Sequence, residues 1–123
     1  MALRESGEMY LETIYILTEK NHHVHSIDVC EYMGFSKPSV SRAIGLLRAG
    51  GYVNMDREGH LTLTDIGLEM ARKIYDRHRI LTEFFISLGV TEGTASDDAC
   101  RVEHVISDET FDVIKNSVDT KKQ

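Results

Sequence analysis

The chain is short of several things, and each shortage narrows what it can be. No apolar run in its 123 residues approaches membrane-spanning length, which excludes a helical bilayer anchor. There is one proline, with no low-complexity stretch and no internal repeat, so a repeat array is excluded. Two cysteines far apart, Cys30 and Cys100, point to reduced thiols or metal ligands rather than a disulfide. The first eight residues, Met1 to Glu8, carry acids and lack a signal-peptide apolar core. The expectation is a cytoplasmic protein with no membrane partner. Acidic residues are also missing from Gly34 to Met55, where Lys37, Arg42 and Arg48 lie in a chain of net charge −6. The net charge argues against nucleic acid, but binding depends on local distribution, and this basic island favours it. The length allows one compact domain, or a small domain with an appendage. Its core is modest enough for oligomerisation to help.

Hydrophobic spacing predicts a helix from about Ser6 to Lys20, with Tyr10, Leu11, Ile14 and Leu17 on its inner face. Asn21-His22-His23-Val24-His25 follows as a connector whose three histidines are open to a stray metal but read first as a solvated turn. Ser26 is the expected N-cap of a short helix carrying Ile27, Cys30 and Met33, with Cys30 in the core and Gly34 as C-terminal stop. Ser36 caps the next helix, with Pro38 in its first turn, an inner stripe of Val40, Ile44 and Leu47, and Gly50-Gly51 at its end. Two short helices around a tight glycine turn make a helix-turn-helix. Tyr52 to Met55 and Leu61 to Leu63 alternate as strands around Arg57-Glu58-Gly59-His60, a small hairpin that serves as a wing. Asp65 to Leu88 reads as one long helix, with Met70, Ile74, His78, Leu81 and Phe85 on a continuous stripe and Gly89 beyond it. About 24 residues span roughly 36 Å, enough to link a DNA-binding head to a dimerising tail. Two more helices are expected: one carrying Cys100, and one from Ser107 with Phe111, Ile114 and Val118.

On a helical wheel, Pro38, Arg42, Gly45 and Ala49 point away from the core stripe of their helix. Glycine inside a helix costs on the order of 1 kcal/mol relative to alanine, a cost that makes sense where the backbone must come close to another surface. A line of small residues with one arginine suits a major groove, where arginine grips guanine bidentately. Ser36, Lys37, Ser39, Ser41 and Arg48 flank that line and Arg57 lies on the wing, so these side chains, with Pro38 and Arg42, form the expected DNA-contacting set.

A second constellation is metal-like. Cys100, Glu103 and His104 are separated by three and four residues, which places thiolate, carboxylate and imidazole on one side of a helix, with Val102, Val105 and Ile106 opposite. The same stripe is also compatible with an ordinary solvated face. Met9 and Glu12 share a face of the first helix, and His78 sits on the inward stripe of the long one.

These segments resemble a known family. Glu8-Met9-Tyr10-Leu11-Glu12-Thr13-Ile14-Tyr15, Ser36-Lys37-Pro38-Ser39-Val40-Ser41, Arg77-His78-Arg79, and the run from Ala99 through Cys100, Glu103 and His104 to Glu109 look like the diphtheria-toxin-repressor (DtxR/MntR) family of iron- or manganese-dependent transcriptional repressors. The likeness covers essentially the whole chain in the right order. It implies a homodimer of winged helices closed by a helical dimerisation domain, in which metal makes the dimer competent for palindromic double-stranded operator DNA. It also implies a metal site of Met9, Cys100, Glu103 and His104, as in iron-sensing members, with Glu12 matching an extra glutamate of manganese-sensing ones. His78 matches a second-site ligand. That site's glutamate and second histidine are replaced here by Thr82 and Ser96, and Arg42 stands where iron-type members often carry glutamine.

The expectation is therefore a mainly α protein. A winged helix-turn-helix DNA-binding domain spans residues 1–74, and an all-helical metal-binding and dimerisation domain spans 75–123, with no SH3-like third domain. Fe(II) is the expected signal because thioether and thiolate favour softer ions than manganese. Mn(II) is the alternative, and Co, Ni or Zn are expected to substitute in vitro. A metal-independent winged helix with a vestigial site is the other reading. An enzyme is not expected: there is no His-Glu-x-x-His motif, no nucleophile motif and no loop large enough for a substrate pocket.

Overall fold

A computed structural model describes residues 5–21 and 23–122. His22 of the connector and Met1 to Arg4 of the acid-bearing terminus lie outside the described residues. Six helices and one hairpin follow in the order α1 (Glu5–Lys20), α2 (Ser26–Met33), α3 (Lys37–Ala49), β1 (Val53–Met55), β2 (Leu61–Leu63), α4 (Asp65–Ser87), α5 (Glu92–Val102) and α6 (Asp108–Lys122). The fold is mainly α, as the spacing predicts. Two compact units divide between Arg72 and Lys73, so α4 belongs to both.

The first unit is built on α1 to β2. Tyr10, Leu11 and Ile14 from α1, Val29 and Cys30 from α2, Val40, Ile44 and Leu47 from α3, and Val53 and Leu61 from the hairpin form one buried cluster with Val24 and Ala71. Local chemistry sets the helix ends. Gly34 adopts φ 72° and its N–H bonds the Cys30 carbonyl at 2.8 Å, closing α2 in the left-handed conformation that glycine permits. Ser36 Oγ accepts the Ser39 N–H at 3.3 Å at the start of α3. The expected cap of α2 needs correction. The helix begins at Ser26 itself and His25 is the N-cap, because Asp28 reaches back to accept the His25 N–H at 2.8 Å.

β1 and β2 pair antiparallel with Val53 opposite Leu63 and Met55 opposite Leu61. The Leu61 N–H also donates to the Val24 carbonyl at 2.7 Å, binding the α1–α2 connector to the wing. At the foot of the hairpin, Gly67 of α4 lies so close to the Tyr52 carbonyl that a Cβ there would overlap it.

In the second unit, Ile80 and Leu81 from α4, Ala99 from α5, and Phe111 and Val118 from α6 are buried together. The long helix ends at Ser87, and Gly89 follows at φ 106°. α6 starts one residue after Ser107, whose Oγ accepts the Thr110 N–H at 3.1 Å. The α5 segment departs from expectation: the helix stops at Val102, and residues 103–105 form a turn. Val105, expected on an apolar helix face, is 64% exposed in that turn.

Candidate metal centre and nucleic-acid interface

Although Glu103 and His104 lie beyond the last turn of α5, the chain does not straighten there. The Glu103 N–H still reaches the Ala99 carbonyl at 2.9 Å, and the N–H groups of Val105 and Ile106 both return to Val102 at 3.0 Å. What fixes the turn is Arg77 of α4, which is 7% exposed. Its Nη1 donates to the Glu103 carbonyl at 3.3 Å and the Ile106 carbonyl at 3.2 Å, its Nη2 pairs with the Asp108 carboxylate, and its guanidinium lies 5.2 Å from the Phe111 ring centroid. One buried cation thus satisfies carbonyls that the end of a helix would leave without partners.

The turn places Glu103, fully buried, between two imidazoles. Its Oε2 lies 3.0 Å from Nδ1 of His78, and its Oε1 lies 3.2 Å from Nε2 of His104. Burial pushes the Glu103 carboxyl up, but hydrogen bonding to His104 and His78 and their charge outweigh this and hold it below its ordinary range. Nε2 of His78 lies 3.4 Å from Ser96 Oγ on α5. Thr82 donates its hydroxyl back to the His78 carbonyl at 2.7 Å, and Glu83 lies 3.7 Å from Arg79. Cys100, a half-buried thiol, sits in the last turn of α5.

The structure therefore brings His78, Glu103 and His104 together around one carboxylate with an oxygen facing each ring. In the first unit, Met9 and Glu12 are both half-buried and one turn apart on α1. A buried carboxylate is costly unless compensated by positive charge. Hard oxygen, borderline nitrogen and the nearby soft thiol are a donor set that fits a divalent transition ion. Arg77 and Asp108 were not among the candidate residues. The signal for Arg77 was present, since three residues after Ile74 and four before Leu81 is an inward position.

On α3 the expected reading face is open. Ser36, Lys37, Pro38, Ser39, Ser41, Arg42, Gly45, Arg48 and Ala49 are all exposed, while Val40, Ile44 and Leu47 are buried. A Cβ added at Gly45 would meet nothing within 4 Å, so its small size is not required by this chain's own packing. Arg57 is exposed in the wing turn.

The comparison with known proteins decides the family. The N-terminal DNA-binding domain of the iron-dependent repressors matches residues 2–61, and their metal-binding and dimerisation domain matches residues 64–123. The chain belongs to the DtxR/MntR family. Members of the DtxR/MntR family are metal-dependent transcriptional repressors, not enzymes. Within it, the chain is 35% identical over 115 residues to an HTH-type transcriptional regulator of Methanocaldococcus jannaschii, covering 92% of each. It is 30% identical over 112 residues to the transcriptional regulator MntR of Escherichia coli, covering 91% of this chain and 72% of that one. A solved manganese-dependent transcriptional repressor in complex with manganese superposes with a TM-score of 0.85 at 30% identity, over 92% of this chain. The chain spans about half the length of that structure, 52%. No helix among the described residues is long and apolar enough to cross a membrane.

Proposed function

We propose that this protein is a metal-activated, DNA-binding transcriptional repressor that controls metal homeostasis, acting as a cytoplasmic homodimer on palindromic double-stranded operator DNA. The observation that carries the metal part is Glu103, buried and facing an imidazole with each oxygen. The DNA part rests on an α3 whose inner stripe is buried and whose outer face combines Arg42, a small-residue line and flanking hydroxyls and cations. Residues 1–74 form the reading head, and residues 75–123 bind metal and dimerise.

The proposed ligands are Met9, Glu12, His78, Cys100, Glu103 and His104. When bound, the ion supplies a positive charge that compensates the buried carboxylate. Arg77 positions Glu103 and His104 by gripping the turn that carries them. On α3 and the wing, Arg42 reads a base, while Ser36, Lys37, Ser39, Ser41, Arg48 and Arg57 hold phosphates and Pro38 starts the helix. Fe(II) is the favoured signal, given the thioether of Met9 and the thiol of Cys100. Mn(II) is the second reading, favoured by Glu12 and by the manganese-binding structural relative.

The deciding experiment is an anaerobic operator-binding titration with Fe(II) and Mn(II), using Zn(II) as a control. Tighter operator binding at lower free Fe(II) than free Mn(II) is the expected result. The reverse order selects the manganese reading. Operator affinity that no metal changes sinks metal activation altogether.

A further inference from the structure

The connector between α1 and α2 reads, in sequence, as a solvated turn with stray histidines, and the wing reads as a hairpin tip. The fold brings them together. The Leu61 N–H to Val24 carbonyl bond pins one to the other, and Val24 is 2% exposed. His23 and His25 flank Val24, so by the two-residue alternation of extended chain they share a face. Both meet the wing: the His60 ring centroid is 4.8 Å from that of His23 and 4.5 Å from that of His25. His60 Nδ1 also lies 3.0 Å from Asp56 Oδ2 and 3.6 Å from Glu58 Oε2.

We propose that Asp56, Glu58 and His60 of the wing, completed by the His23 and His25 imidazoles, form a second metal site that takes a late divalent transition ion of the Zn(II) class.

Among the described residues, Asp56, Glu58 and His60 are the one group of three histidine, cysteine or acidic residues whose ligand atoms all lie within 4.8 Å of one another. Ligands at about 2.0–2.1 Å around a tetrahedral ion are separated by about 3.3–3.4 Å. The two contacts of His60 bracket that value. Asp56 is also held in place: its Oδ1 accepts the N–H groups of Glu58 and His60, each at 2.9 Å. This leaves Oδ2 aimed at the ring. An exposed acid pair with one histidine would be an ordinary ion-pair cluster. The rings of His23 and His25, packed against His60 from a segment more than thirty residues away in sequence, change its chemistry, because imidazole with carboxylate suits zinc, nickel and copper better than manganese. None of these residues belongs to the set around Glu103, and the site does not depend on the repressor reading.

The test uses full-length protein stripped with chelator and titrated with Co(II) and then Zn(II). The panel is wild type, Cys100→Ser, His23→Gln and the His23→Gln/His60→Gln double variant. The wing site contributes Co(II) absorption without a sulfur-to-cobalt charge-transfer band, so Cys100→Ser retains it. The double variant binds one Zn(II) fewer per chain. His23→Gln alters only an exposed side chain, and should weaken this site by at least about tenfold with unchanged circular dichroism. It therefore keeps the test decisive if the double variant folds poorly. Identical Zn(II) stoichiometry and affinity in wild type and His23→Gln overturns the proposal, as does wild-type binding at the wing only in the millimolar range.

Discussion

Arg77 is the single side chain on which most of the metal-site turn depends. A buried guanidinium with three protein acceptors is held where lysine cannot replace it, because only the planar fork reaches two carbonyls and a carboxylate together. Arg77→Met keeps the bulk beside Phe111 but leaves the Glu103 and Ile106 carbonyls without this donor. At about 1–3 kcal/mol for each of the two carbonyls stranded, the variant should lose about 2–6 kcal/mol of stability in urea unfolding. It should also bind metal more weakly when native, and Arg77→Lys should recover only part of either loss. A variant as stable as wild type would show that the turn holds itself. Gly67 gives a second residue-scale expectation. Gly67→Ala drives a Cβ into the Tyr52 carbonyl, and overpacking of this kind costs about 1–3 kcal/mol, seen as a lower thermal midpoint with DNA contacts otherwise unchanged. The inward position of Arg77 was legible from its spacing. What it grips was not, because Asp108 and the 103–106 turn are remote in sequence.

At the scale of elements, the helix-turn-helix and wing were readable because their ends are locally encoded, by Gly34 at positive φ, Ser36 as a cap and Pro38 in a first turn. The end of α5 was not readable in this way. No glycine or proline marks it, and Val102, Val105 and Ile106 continue a helical apolar pattern. The helix stops just before the turn whose Glu103 and Ile106 carbonyls Arg77 captures, a tertiary contact that no local window contains. The packing of the connector's His23 and His25 against His60 was not legible for the same reason, since His60 is on the wing. For α3, the open face distinguishes two kinds of contact. Arg42→Ala should weaken operator binding by roughly 1–3 kcal/mol per half-site and blur preference at one base position. Lys37→Ala should weaken all sequences alike and reduce the salt slope by about one unit. Competition assays with single-base operator variants at several salt concentrations separate the two, and an equal, unselective loss in both mutants would remove Arg42 as a base reader.

For the whole molecule, the proposed function joins two equilibria, metal binding and operator binding, and thermodynamics constrains how they are joined. If metal raises operator affinity by some factor, operator DNA must raise metal affinity by the same factor. The ion need not touch DNA for this to hold. It needs only to bind better to the DNA-competent arrangement of the protein than to the others. Met9 is on α1 and Cys100, the other proposed sulfur ligand, is on α5, so the proposed ligand set draws on both halves of the sequence. Met9→Ala should lower metal affinity and weaken the coupling while leaving salt-sensitive, non-specific DNA binding in place, because the α3 phosphate contacts are untouched. Replacing both sulfur ligands, Met9→Asp with Cys100→Glu, should move the response from Fe(II) towards Mn(II), since oxygen donors suit the harder ion. The measurement is operator affinity under anaerobic conditions with each metal, in wild type and both variants, paired with metal affinity measured with and without operator. Unequal coupling factors in the two directions would mean that the two assays do not report one linked system. Equal operator affinity of apo and metal-loaded wild type would leave Glu103 and its histidines as a structural network with no part in controlling DNA.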